Sequence, residues 1–221
     1  MSTAVIDYGA GNIRSVENAM RALGEHTVVT SSPDEIRAAD HVILPGVGAF
    51  GDAMENLRSR GLGEVIREVC RSGVPFLGIC LGLQILFEES EESPGVTGLS
   101  ILKGKVVRFP KEQPDAFLRA HGMPEAFLKI PEIGWNALHY PEAEVSAPGR
   151  LFAGIPEGAF VYFVHSYYLQ AEDPSIVKAR SDYGIPFDAS VESGNVFACQ
   201  FHPEKSERVG MQILKNFLEV R

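Results

Sequence analysis

Residues 74–79, Val-Pro-Phe-Leu-Gly-Ile, are apolar without interruption and follow a turn-forming Arg-Ser-Gly. A strand with one wet face alternates apolar and polar residues, so an unbroken apolar run belongs to a strand covered on both faces. Such a strand sits in the middle of a parallel sheet, and parallel neighbours need helical crossovers. The preceding residues supply them. "TAVIDY" reads as a strand, and Asn12 closes the turn "GAGN" as a helix cap. Ile13, Val16, Met20 and Leu23 then recur at helical spacing up to Gly24. "HTVVTS" is a second strand. Ser32 lies three residues before Glu35, with Pro33 at the first helical position, which is a capping box for "PDEIRAAD". "HVILP" (41–45) is a third strand, running into the turn "GVGAFGD", and Val65, Ile66 and Val69 mark a helix that stops near Gly73.

The second half changes character. "KGKVVRF", "VYFVHSYYLQ", "SIVKARS", "FDASVES" and "NVFACQF" are β-type segments with few helices between them. The chain closes on a helix with Val209, Ile213, Phe217 and Leu218 on one face. These patterns predict an α/β fold: an open, mostly parallel central sheet with flanking helices and an antiparallel extension in the C-terminal half. One domain over 1–221 is expected. Residues 111–128, within a tract rich in proline and charge, read as a surface insertion.

Composition narrows the function classes. The formal net charge of −9 repels phosphate backbones, which argues against nucleic acid as the main partner. No apolar run approaches the ~20 residues of a membrane-spanning helix, so no membrane association is expected. "MSTAVIDYGAGN" has neither the basic nor the apolar region of a secretory signal. Three cysteines, at 70, 80 and 199, form no C-x-x-C pair. That is neither a disulfide framework nor a zinc knuckle, and it suits a reduced, cytoplasmic compartment. No set of residues has metal-ligand spacing, and no cofactor is expected.

Cys80 lies in Gly78-Ile79-Cys80-Leu81-Gly82, the G-x-C-x-G form of a nucleophile elbow. A sharp strand-to-helix turn strains the central residue, and side chains on its neighbours would collide. "LGLQILFEES" is helix-forming, which puts Cys80 at a helix N-terminus, where partial positive charge favours a thiolate. The alternative is a buried cysteine serving as a small hydrophobe. A nucleophile needs a base, and the base needs an orienting group. In "FACQFHPEKS", His202 and Glu204 are two apart in an extended run and face the same side, while Pro203 keeps a helix from starting at His202. Read singly, His202 is equally a surface histidine beside a turn, and Glu204 a charge at a helix start. His26, His41, His121 and His139 have no acidic partner at useful spacing, and His165 reads as a hydrogen-bonded core residue. The glycines of "LPGVGAFGD" suit an anion site or an oxyanion hole. No Gly-Lys-Ser/Thr follows, so this is not a Walker A loop, and "DYGAGN" lacks a full dinucleotide fingerprint.

"PGVGAFGD", "GICLGLQILFEES" and "FHPEKS", in this order and spacing, resemble the class I glutamine amidotransferases. "DYGAGNIRSVENA", "GWNAL" (134–138) and "YFVHSYY" are similar to the glutaminase subunits of imidazole glycerol phosphate synthase within that class. The resemblance spans nearly the whole chain and implies a cysteine glutaminase without cofactor. Cys80 would attack the side-chain amide of L-glutamine, with His202 shuttling the proton and Glu204 orienting it. The N–H of Leu81 and one from Gly46-Val47-Gly48 would hold the oxyanion once that turn rearranges. Gln84, Glu92, Ser166 and Tyr167 match substrate contacts. Ammonia would pass to a (β/α)8 synthase subunit, in a heterodimer whose interface includes Asn12 and Trp135; core packing is the other reading of Trp135. Low activity of the isolated chain is implied, because an unfilled oxyanion hole costs ~10² to 10³ in rate. Other class I subunits (anthranilate, pyridoxal phosphate or purine synthesis) and a stand-alone γ-glutamyl hydrolase are the alternatives, with a non-catalytic module as a third. The chain carries more residues between "RFP" and "IPEIGWN" than the family pattern places there.

Overall fold

Phe76, Leu77 and Ile79 are buried, and they divide between two hydrophobic clusters on opposite faces of one sheet. The computed structural model describes residues 2–9, 11–111, 127–142 and 149–221. The insertion expected at 111–128 therefore lies, except at its ends, outside the described residues.

Strand β1 (Thr3–Ile6) leads to α1 (Ile13–Ala22), β2 (Thr27–Thr30), α2 (Pro33–Ala38) and β3 (His41–Gly46). Helices α3 (Phe50–Ser59) and α4 (Leu62–Ser72) precede β4 (Phe76–Cys80), and α5 (Leu81–Gln84) follows it. Then come β5 (Glu89–Ser90), β6 (Gly104–Arg108), β7 (Glu132–Ala137), β8 (Phe160–His165) and β9 (Tyr167–Ala171). The chain ends with β10 (Val177–Asp182), β11 (Pro186–Ser193), β12 (Val196–Cys199) and α6 (Glu207–Leu218). Among the described residues the main sheet runs β2-β1-β3-β4-β12-β11-β9-β6-β5, with β10 paired to β11. From β2 to β12 every pairing is parallel, and β12-β11-β9-β6 are antiparallel, as expected from the change in pattern along the chain.

Alternation along the parallel strands builds both cores. Ala4, Ile6, Val42, Leu44 and Phe76 pack with Phe50, Leu57, Leu62 and Ile66 of α3 and α4. Val5, Ile43, Leu77 and Ile79 pack with Val16 and Met20 of α1 and Ile213, Leu214 and Phe217 of α6. Each such large apolar side chain taken from water contributes about 1.5–3 kcal/mol. The Ser32 hydroxyl accepts from the Glu35 N–H with Pro33 in the first turn, so the expected N-cap forms. The return bond of a capping box does not: the Ser32 N–H donates to Thr30 Oγ1, and the Glu35 carboxylate takes the Thr30 hydroxyl instead.

Three local expectations are corrected. The glycine turn after β3 is shorter than its composition suggests: α3 starts at Phe50 and takes in Gly51, where a Cβ would meet Ser93 Oγ at 2.9 Å. The helix after Cys80 ends at Gln84. The carbonyls of Ile85, Leu86, Phe87 and Glu88 accept from residues 98–102 instead of from the next helical turn. "VYFVHSYYLQ" breaks at Ser166, β8 joining β7 in a separate two-stranded sheet while β9 joins the main one.

Candidate active site

Cys80 ends β4 with φ 54° and ψ −107°, a left-handed conformation that L-residues avoid. Close packing of the turn explains the flanking glycines. A Cβ on Gly82 would lie 1.9 Å from the Leu44 carbonyl oxygen, and one on Gly78 would lie 2.7 Å from the Gly82 oxygen. The chain thus turns sharply from strand to helix and packs back onto the backbones of β3 and β4, the tight turn that the G-x-C-x-G spacing predicts. Because β12 lies parallel and next to β4, with Cys199 opposite Ile79, the residues after β12 arrive beside Cys80.

His202 is placed by its backbone. Its N–H donates to Tyr162 O at 2.9 Å, and its carbonyl accepts from Ser206 Oγ at 2.7 Å. A 3-10 turn over Pro203–Lys205 then brings Glu204 back, so that His202 Nδ1 lies 2.8 Å from Glu204 Oε1 with both side chains buried. Burial opposes the imidazolium, but hydrogen bonds to Cys80 and Glu204 and the charges of both outweigh it. The pKa of His202 rises from 6.5 to about 10. Burial pushes the Cys70 thiol up to about 12 and that of Cys199 well above its ordinary value.

A cavity of about 290 Å³ opens over Cys80 and His202, walled by Val47, Gly48, Gln84 and Glu92. Gly46 pairs with Cys80 in register, and Gly48 has φ +111°, so the oxyanion turn expected at 46–48 lies beside the thiol. Tyr8 packs beneath it: a Cβ on Gly46 would meet the Tyr8 hydroxyl at 2.3 Å. Gln84 Nε2 donates to Tyr167 O and to Gln200 Oε1, each at 3.1 Å. Glu92 Oε2 accepts the Phe50 N–H at 2.8 Å, which caps the start of α3. Ser166 and Tyr167 line the same cavity, with the Ser166 carbonyl taken by the Phe109 N–H.

Sequence reasoning missed several residues. Gln200 is fully buried, with Nε2 3.7 Å from Cys80 Sγ. It precedes His202 by two, so the same i, i+2 rule could have found it. His165 is buried and hydrogen-bonded as expected, with Nδ1 2.8 Å from Tyr167 O, but it also lines the cavity and has Nε2 3.1 Å from the buried Glu132, its cross-strand neighbour. His139 does have an acidic partner: Glu157 Oε1 lies 2.7 Å from its Nδ1. Asn12 occupies the N-cap position of α1 but makes no capping bond; its amide reaches Glu204 and His202. Trp135 is not core: it is 46% exposed, edge-on to Tyr162, on the outer face of the β7–β8 sheet with Ile133 and Phe160.

Among the described residues, no helix is long and apolar enough to cross a membrane.

The chain is similar to known proteins over nearly its whole length. Imidazole glycerol phosphate synthase subunit HisH of Moorella thermoacetica is 49% identical over 217 residues, covering 98% of this chain and 94% of that protein. The HisH subunit of Bacillus cereus is 50% identical over 214 residues, covering 97% and 92%. That of Aquifex aeolicus is 48% identical over 218 residues, covering 98% and 96%. Among solved structures, PurLQS from Thermotoga maritima superposes with a TM-score of 0.70 at 20% identity, covering 98% of this chain and 97% of that one, which shows a shared fold. The family model for glutamine amidotransferase class-I matches residues 4–220. With a strained cysteine, a buried His-Glu pair and a glycine turn around one cavity, and with these relatives, the chain belongs to the class-I glutamine amidotransferases.

Proposed function

We propose that this chain is the glutaminase subunit of an imidazole glycerol phosphate synthase, hydrolysing L-glutamine at Cys80 and passing ammonia to a (β/α)8 synthase subunit. The observation that carries the chemistry is the convergence of Cys80, His202 and Glu204 at the ends of two adjacent parallel strands. The near-full-length likeness to HisH subunits carries the assignment to that synthase.

Cys80 Sγ attacks the side-chain carbonyl carbon of glutamine, and the carbonyl π electrons move onto its oxygen. The N–H of Leu81 and an N–H of Gly46-Val47-Gly48 hold that oxyanion. His202, which keeps its proton in the folded protein, gives it to the amide nitrogen as the C–N bond breaks. Ammonia leaves and a thioester remains. Water then attacks the thioester, His202 takes its proton, and glutamate departs as the thiolate is restored. Glu204 holds the imidazole through Nδ1 throughout, leaving Nε2 for the proton transfers. Gln84, Glu92, Ser166 and Tyr167 line the cavity where the glutamine backbone would lie.

Exposure supports a docking face for the synthase on the β7–β8 sheet. Ile133, Trp135 and Phe160 are 62%, 46% and 57% exposed on one side of the β7–β8 sheet. Large apolar groups gathered on a surface mark an interaction site. Lys205 connects this patch to the reaction: its ammonium lies 5.9 Å from the Tyr162 ring, and it lines the cavity.

The test is glutamine hydrolysis with and without the (β/α)8 subunit, for the native chain and Cys80→Ala. Slow hydrolysis alone, marked stimulation by the partner and none in Cys80→Ala are expected. Full activity in Cys80→Ala would overturn the mechanism; failure to bind the synthase subunit would overturn the pathway assignment.

A further inference from the structure

Glu204 is an unusual orienting group because its carboxylate has so little to hold it. Its side chain is 0% exposed, and Oε2 is buried with no hydrogen-bond partner among the described residues. An ionised carboxylate taken out of water needs compensating donors. Two side-chain donors reach it, and both converge on Oε1: His202 Nδ1 at 2.8 Å and Asn12 Nδ2 at 2.5 Å. Because a carboxylate only accepts, the Asn12 atom against it is the amide nitrogen.

The backbone at Asn12 is built for this contact. At the start of a helix an asparagine ordinarily bonds the first-turn N–H groups. Here φ is +73°, in the left-handed region, and the side chain makes no capping bond. Asparagine tolerates that region better than most residues. The cap is forgone, and the amide spans from the turn after β1 to the segment after β12, a contact 192 residues apart in sequence. Asn12 Nδ2 also lies 3.4 Å from His202 Nδ1, so the amide packs against the imidazole it helps to aim.

We infer that Asn12 is a positioning residue for the base: its amide fixes Glu204 Oε1 in line with His202 Nδ1 and so holds the imidazole in the tautomer and orientation that turn Nε2 toward Cys80. The inference rests on the glutaminase reading above and adds to it a role distinct from contact with a partner subunit.

Asn12→Gly is the clean deletion, since glycine adopts φ +73° without strain and only the amide is lost. Asn12→Asp keeps size and backbone preference but sets a second carboxylate against Glu204. Both are assayed as the complex with the (β/α)8 subunit at saturation, alongside the native chain and Cys80→Ala. For Asn12→Gly, kcat should fall roughly 10-fold or more with KM within about two-fold, as expected for a group acting through the base. Asn12→Asp should fall further. The His202 Nδ1–H proton resonance should move upfield or broaden in Asn12→Gly, which a merely structural role would not produce in a chain with native thermal unfolding. Native kcat and an unmoved resonance in Asn12→Gly, with Cys80→Ala inactive, would overturn this inference alone. Losses in Asn12→Gly that vanish at saturating synthase subunit would also overturn it, in favour of a simple interface contact. Cys80→Ala as active as the native chain would instead bring down the glutaminase reading beneath it.

Discussion

The carbonyl oxygen of Pro203 sits so close over Gly210 that a methyl group on the glycine would lie 1.8 Å from it. Helix α6 therefore packs its backbone directly against the turn that carries His202 and Glu204. Gly210→Ala must push the two apart, and overpacking of this kind costs about 1–3 kcal/mol. The variant should unfold at lower temperature and hydrolyse glutamine more slowly, because the shift falls on Pro203 and Glu204. Lys215→Ala, exposed on the same helix, serves as the control. Native melting and native rate in Gly210→Ala would show that this contact does not set the geometry.

Strain at Cys80 separates stability from activity. With φ 54° and ψ −107°, the residue occupies a region that costs a non-glycine about 1–3 kcal/mol. Cys80→Ala removes the thiol and keeps the strain, whereas Cys80→Gly removes both. Both variants should be inactive, and the glycine one should be the more stable by about 1 kcal/mol, after allowing for the extra freedom glycine has when unfolded. Urea denaturation of the pair measures this. A glycine variant less stable than the alanine one would show that the elbow is not strained.

The pKa of His202 makes stability depend on pH. Its folded value, raised to about 10 from 6.5, means that the folded chain binds a proton the unfolded chain lacks between those limits. That stabilisation is complete below about pH 6.5, declines as pH rises, and is gone above about pH 10. The stability difference between the native chain and His202→Gln should therefore shrink from pH 6 towards pH 10. Denaturation at several pH values gives the difference directly; a constant gap would mean that the imidazole is neutral in the fold.

What could be read from the chain follows from which features are local. The buried central strand, the elbow glycines and the His202–Glu204 pair each depend on residues within a few positions of one another, and periodicity exposes them. The left-handed turn at Asn12 does not show in its residue type, because asparagine suits both a helix cap and a positive φ. The cap reading therefore fixed the residue's place and missed its partner, Glu204. The pairing of His165 with Glu132 depends on the β7–β8 register, which no periodicity reveals across 33 residues. Helix α3 was hidden for another reason. Gly51 resembles turn material, but it is there because Ser93 packs against its backbone.

Tyr8 tests the floor of the glycine turn at 46–48. Its ring is fully buried, and its hydroxyl has no hydrogen-bond partner among the described residues. Burial first, and the nearby Cys80 second, push the phenol's pKa upward, so the group stays a neutral and unpaired donor. An unsatisfied buried hydroxyl costs on the order of 1–3 kcal/mol, which a phenylalanine of nearly the same shape avoids. Tyr8→Phe should be as stable as the native chain or more so, by about 1 kcal/mol in urea. The space released lies against Gly46, where a Cβ would meet the hydroxyl at 2.3 Å, so the turn beside Cys80 keeps its backbone path. Glutamine hydrolysis by the complex should stay near the native rate. A clear loss of stability in Tyr8→Phe would show that the hydroxyl has a partner in the folded protein, and that the floor of the turn is held by a hydrogen bond rather than by packing.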